Sequence, residues 1–154
     1  MFMKIFTLSI VLLLLFCASN IDAQIVKDNS KWTFEAKKIS GHKYQIIAHL
    51  KLEKGWHVYA MKPGGDGTLI PVAIKLDNNT KVKAVGTFTE KGKLISETVP
   101  GMDGKVNMYK NSVDYIADAE INGPTTITGI CSYQTCNDKM CLPPADKKFS
   151  LTVK

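Results

Sequence analysis

Three cysteines fall within eleven residues: Cys131, Cys136 and Cys141, in the run Gly129-Ile130-Cys131-Ser132-Tyr133-Gln134-Thr135-Cys136-Asn137-Asp138-Lys139-Met140-Cys141-Leu142-Pro143-Pro144. In an oxidising compartment an odd number suggests one pair and one thiol left over. Alternation places Cys131 on the strand face of Ile127, Gly129 and Tyr133, where it reads as a small buried hydrophobe. Cys136 and Cys141 bracket a turn-prone Asn137-Asp138-Lys139, and two prolines stiffen the exit. A bridge across that bracket requires the loop to turn back on itself. Closing so short a ring stabilises by only about 2 kcal/mol. Such a bond is a modest staple for a domain with its own core, or a compact surface disulfide that a partner's thiolate can approach. The residues alone leave both readings open.

Other chemistries fit less well. The three cysteines, with Met140 and Met108 nearby in type, admit a soft ion such as Cu(I). Zinc fits poorly, because paired cysteine ligand groups are not doubled and no histidine follows them. His42, His49 and His57 all lie early in the chain, and His49, beside Ala48 in an alternating run, reads as structural. No Cys-x-x-Cys opens a helix, so the thioredoxin route to a low thiol pKa is absent. No Ser, His and acidic grouping singles itself out for hydrolysis. No cofactor and no resident metal are expected.

The elements that would carry the cysteines alternate with period two. Trp32, Phe34 and Ala36 do so, as do Ile46, Ala48, Leu50 and Leu52, and Val72, Ile74 and Leu76. Val113 to Ala119, Ile127 to Tyr133 and Phe149 to Val153 continue the pattern. Val82 to Val85 and Leu94-Ile95 flank Glu90-Lys91-Gly92-Lys93, which reads as a turn. Turn signals also stand at Lys54-Gly55, Pro63 to Gly67, Asp77 to Asn79 and Asn122-Gly123-Pro124. Roughly seven to nine strands with no convincing helix predict an all-β, immunoglobulin-like antiparallel β-sandwich, with an up-and-down barrel as the rival.

Lys4 followed by the apolar run Ile5 to Phe16 and the small or polar residues Cys17 to Ala23 reads as a secretory signal peptide cleaved after Ala23. The run is short for a membrane span, which needs about 20 residues, so a retained tether is the lesser reading. Phe16 before Cys17 argues against a lipidated cysteine. Residues 24–154 then form one domain, expected to act as a stand-alone unit. The chain of 154 residues carries 20 basic and 14 acidic side chains, a net charge of +6. Every basic residue is lysine, and the loss of Lys4 and Asp22 leaves the net charge unchanged. Without arginine the bidentate fork that reads guanine is missing, which disfavours nucleic acid as a partner. The scattered lysines read as a solvated surface.

The frame Tyr133-Gln134-x-Cys136-x-x-x-x-Cys141-Leu142-Pro143-Pro144 resembles the active-site segment of the family formed by the N-terminal domain of the thiol–disulfide interchange protein DsbD. Gly55-Trp56-His57-Val58-Tyr59 resembles that family's aromatic strand, and Gly104 with Lys105 to Tyr109 the exit of its cap loop. The resemblance runs from about Trp32 to Val153. It implies an immunoglobulin-like domain in the periplasm that takes electrons from a membrane-embedded thiol reductase and reduces thioredoxin-fold proteins. It further implies that Cys136 and Cys141 are the redox pair, with Cys141 forming the mixed disulfide and Cys136 resolving it. Trp56, Tyr59 and Tyr133 would lie near the pair. Met102 stands where the family's cap carries phenylalanine, and Cys131 is an additional thiol. The alternative functions are a non-catalytic interaction module with a structural disulfide, and Cu(I) binding.

Overall fold

The computed structural model describes residues 27–154. The proposed leader, residues 1–23, and Cys17 lie outside the described residues. Nine strands follow one another: β1 (Ser30–Ser40), β2 (Lys43–Leu52), β3 (His57–Gly64), β4 (Ala73–Leu76), β5 (Val82–Thr98), β6 (Lys105–Ile121), β7 (Thr125–Tyr133), β8 (Thr135–Cys136) and β9 (Ala145–Val153). The larger sheet runs β1-β2-β6-β3-β8 with β5 paired to β6, and the smaller runs β4-β7-β9, all antiparallel. This is the expected all-β sandwich.

Alternation decides the core. Trp32, Leu50, Val58, Val113 and Tyr115 of the larger sheet face Cys131, Tyr133 and Phe149 of the smaller, and all are buried. Phe34 stacks on Phe149 at 4.5 Å between ring centroids, and Trp32 meets Tyr133 at 5.1 Å. These contacts bridge the two sheets, and aromatic pairs of this kind add about 0.5–1.5 kcal/mol each beyond the area they bury. A second cluster at the other end gathers Tyr44, Ile46, Ala119, Ile121, Ile127 and Val153.

One expectation is corrected. Glu90-Lys91-Gly92-Lys93 does not reverse the chain: it lies inside β5, a strand of 17 residues. The register of β5 on β6 shifts between Gly92 and Leu94, opposite the point where β6 passes from its pairing with β3 to its pairing with β2. Asn111 sits at that passage with φ 72°, in the left-handed region that asparagine tolerates better than most residues. The glycine and lysines therefore serve a bulge in a long bent strand, and a bulge and a turn share the same composition.

β7 and β8 belong to different sheets, so the chain changes sheet at Gln134. It places Cys136 at the edge of the larger sheet beside β3 and returns through Cys141 and the prolines to β9 in the smaller. The cysteine loop is this excursion.

Candidate redox site

Cys136 and Cys141 are joined by a disulfide, with Cα atoms 4.0 Å apart. The two residues face each other across a tight antiparallel fold-back. The Asn137 amide donates to the Met140 carbonyl and the Leu142 amide to the Thr135 carbonyl, both at 2.9 Å. The cysteines are thus a non-hydrogen-bonded cross-strand pair, the geometry that brings Cβ atoms closest. The Asn137 side-chain oxygen accepts from the amides of Lys139 and Met140 at 2.8 and 2.9 Å, which pins the turn. Gln134 donates from Nε2 to the Leu142 carbonyl at 2.9 Å and ties the returning arm to the outgoing one.

The two cysteines differ in access. Cys136 is 1% exposed, whereas Cys141 is an exposed residue next to Met140, which is 55% exposed. Cys141 is therefore the residue of the pair that lies at the surface, and Cys136 the one enclosed by the fold. Cys131 lies fully buried in β7, as its alternation implied, and burial pushes its thiol up to about 12. At neutral pH it is protonated and unreactive. Brief alkylation of the reduced native protein should therefore label Cys141 and spare Cys131, which becomes reactive only on unfolding. Intact mass and peptide mapping read this out, and early labelling of Cys131 would contradict its placement.

Two clefts flank the loop. One, of about 280 Å³, is lined by His57 and Tyr59 of β3, Glu97 and Thr98 of β5, Met108 and Lys110 of β6, Asn137 and Asp138 of the cysteine loop, and Val99 and Pro100 of the β5–β6 loop. The segment between β5 and β6 thus shares a cavity with the cysteine loop, as a cap would. Met102 is half-buried in that segment, its amide donating to the Val99 carbonyl at 3.1 Å, but it does not line the cavity. The other cleft, about 290 Å³, is lined by Tyr133, Thr135, Leu142 and both prolines, with Asp28 at its wall.

The aromatic residues thus divide. Tyr59 lines the first cleft, and burial raises its pKa. Tyr133 lines the second; its hydroxyl accepts from Ser30 Oγ at 3.0 Å and donates to Asp28 at 3.2 Å. Trp56 is half-buried in the β2–β3 turn, its amide on the Glu53 carbonyl at 3.1 Å, and it lines neither cleft. His49 bonds Asp114 at 2.8 Å, in the structural role its strand position implied. Among the described residues no three His, Cys, Asp or Glu side chains form a metal-holding group.

No motif or spacing in the sequence assigns a role to His57. It is 7% exposed and pairs directly with Cys136 across β3 and β8 and with Lys110 across β3 and β6. Its proximity to Tyr59 in the strand was the available signal, since both share one face. The pairing with Cys136 arises only through the change of sheet at Gln134.

A β-sandwich whose cross-strand disulfide joins a surface cysteine to a buried one has the form of a thiol–disulfide exchange module. The chain belongs to the family described as "Thiol:disulfide interchange protein DsbD, N-terminal", whose model matches residues 22–153. The family and the Cys136–Cys141 disulfide together support a redox, thiol-exchange role. Among solved structures, the N-terminal periplasmic domain of ScsB from Proteus mirabilis is similar at TM-score 0.61 and 18% identity, covering 81% of this chain and 47% of that one. This chain thus spans about half the length of that structure. The reduced DsbD N-terminal domain from Neisseria meningitidis is similar at TM-score 0.49 and 15% identity, covering 79% of this chain and 85% of that one. The same species' domain in complex with the PilB N-terminal domain gives 0.49 and 14%, with coverage of 82% and 87%. No curated protein is similar in sequence.

Proposed function

We propose that this protein is a periplasmic electron carrier that reduces disulfides in thioredoxin-fold partners and is itself reduced by a membrane-embedded thiol reductase. Residues 1–23 act as the export signal in this reading, leaving residues 24–154 as the working domain. The observation that carries the proposal is the asymmetry of the pair, exposed Cys141 bonded to buried Cys136. Reduced Cys141 attacks a partner disulfide, forming the mixed disulfide and expelling one partner thiolate. Cys136 then attacks Cys141, closing the intramolecular bond and releasing the second partner thiolate. Two electrons pass to the partner.

Mixing the reduced protein with an oxidised thioredoxin-fold domain tests the proposal. Stoichiometric transfer, seen as one dithiol gained by the partner for each one lost, is the expected result. A partner left oxidised at equilibrium, whichever thioredoxin-fold domain is offered, would sink it.

Met102 and Tyr59 shield the pair from the β5–β6 side in this account, with Trp56 and Tyr133 supporting the strands that carry it. Methionine is apolar and adaptable and can cover a disulfide without a rigid ring. Met102→Gly should therefore speed air oxidation of the reduced pair several-fold while leaving thermal stability within about 1 kcal/mol, the range usual for a partly exposed loop position. An unchanged oxidation rate would remove Met102 from the cap.

A further inference from the structure

Cys136 is the sulfur that must ionise to resolve the mixed disulfide, and it is the one shut away from water. Burial disfavours a thiolate. Solvent hydroxide has poor access there, so resolution calls for a proton acceptor within the fold. The register supplies one candidate: His57 lies directly across from Cys136, with side chains of such pairs on one face and Cβ atoms about 4.5–5.5 Å apart. Its Nδ1 is buried and has no hydrogen-bond partner among the described residues. Leaving a buried polar nitrogen unpaired costs stability, and such a group calls for an explanation, of which a catalytic role is one. Trp32 Nε1 and Tyr115 OH are also unpaired, but of the three only His57 can take up a proton at neutral pH and faces Cys136 in the strand register.

We propose that His57 is the proton acceptor for Cys136 during resolution of the mixed disulfide, an assignment that rests on the exchange reading above. The Cys136 thiol gives its proton to the neutral imidazole. The resulting thiolate attacks Cys141 Sγ, the Cys136–Cys141 bond forms, and the Cys141–partner bond breaks. The departing partner thiolate leaves with the electron pair and takes up a proton from the imidazolium or from water. By reversal, imidazolium protonates Cys136 as it leaves when a donor thiolate reduces the disulfide.

The surroundings suit this task. Burial first, and then the Lys110 ammonium across β6, lower the His57 pKa, while Asp138 of the cysteine loop and Glu97 of β5 raise it. Tyr59, on the same face, meets the imidazole edge-on with ring centroids 5.4 Å apart. Lys110 itself reaches Glu97 at 3.8 Å. With its pKa below the ordinary 6.5, His57 is neutral and able to accept a proton at pH 7. It also borders the cleft of about 280 Å³, which opens a route for that proton to solvent.

Rapid mixing of the reduced protein with dithiobis-nitrobenzoate separates the steps. Attack by Cys141 releases one coloured thiolate, and resolution by Cys136 releases a second. In the wild type the rate of the second phase should rise through an inflection below pH 6.5, where His57 loses its proton, and then stay level to about pH 8. In His57→Gln the ratio of second-phase to first-phase rates should fall roughly 10²-fold at pH 7, the scale of one general base. Its second phase should instead climb about tenfold per pH unit, as hydroxide takes over. Lys110→Met should move the wild-type inflection to higher pH. A wild-type second phase lacking any inflection below pH 6.5, or a His57→Gln profile matching the wild type, overturns the assignment and leaves exchange intact. A wild type that forms the mixed adduct and never releases the second thiolate overturns the exchange reading and the assignment with it.

Discussion

Cys136→Ser should turn the protein into a trap that holds its partner as a stable mixed disulfide, while Cys141→Ser captures nothing. Each substitution replaces one of the two sulfurs of the same bond with oxygen, and their difference follows from access alone. In Cys136→Ser the exposed Cys141 still attacks, and no neighbouring sulfur remains to release the adduct. In Cys141→Ser the remaining thiol lies on β8 with 1% of its surface exposed, against β3, and no partner sulfur can align with it. Non-reducing gels after incubation with an oxidised thioredoxin-fold domain distinguish the outcomes. Equal capture by both variants would mean that the loop opens freely and that the buried position of Cys136 has no mechanistic weight.

Gly129→Ala carries the largest expected cost to stability. Gly129 sits on β7 between β4 and β9, where a Cβ would overlap the Lys75 carbonyl oxygen and come within 2.6 Å of the Phe149 ring. Alanine would gain about 0.5–1 kcal/mol from a stiffer unfolded chain. The overlap with backbone outweighs that gain, because a carbonyl in a paired strand cannot swing aside. A net loss of about 3 kcal/mol is expected, lowering Tm by roughly 10 °C in a domain of this size. The damage should reach the redox site, since β7 delivers the chain to Gln134 and Cys136. Thermal unfolding of the variant within about 2 °C of the wild type, well inside the shift one kcal/mol produces, would show that β4 and the Phe149 ring, both neighbours of β7 within the smaller sheet, give way easily at that point.

The strands were legible because half-burial imposes period two. Trp32-Phe34, Ile46-Ala48-Leu50, Val113-Tyr115 and Ile127-Gly129-Cys131 all point inward as their alternation required, apart from the partial exposure of Phe34. Period two identifies a face and says nothing about the neighbour. That β5 bulges opposite Asn111 instead of turning at Glu90 to Lys93, and that β8 joins the larger sheet, depend on pairings distant in the chain. The same limit explains the site. The loop between Cys136 and Cys141 was readable from its turn residues, and Asn137 indeed closes it. The unequal exposure of the two sulfurs was not readable, because it comes from β3 packing beside Cys136 about 80 residues away in sequence. The placement of His57 opposite Cys136 is hidden in the sequence for the same reason.

The reduction potential of the Cys136–Cys141 pair tests the central claim most directly. Equilibrating the purified protein in graded thiol–disulfide buffers, trapping by alkylation and weighing the products gives the value, with Cys131 as an internal bystander. A reversible two-electron transition well above about −300 mV, the region below which structural disulfides generally lie, is the result this account predicts. A disulfide that resists reduction until the sandwich melts would contradict it and leave the bond a staple.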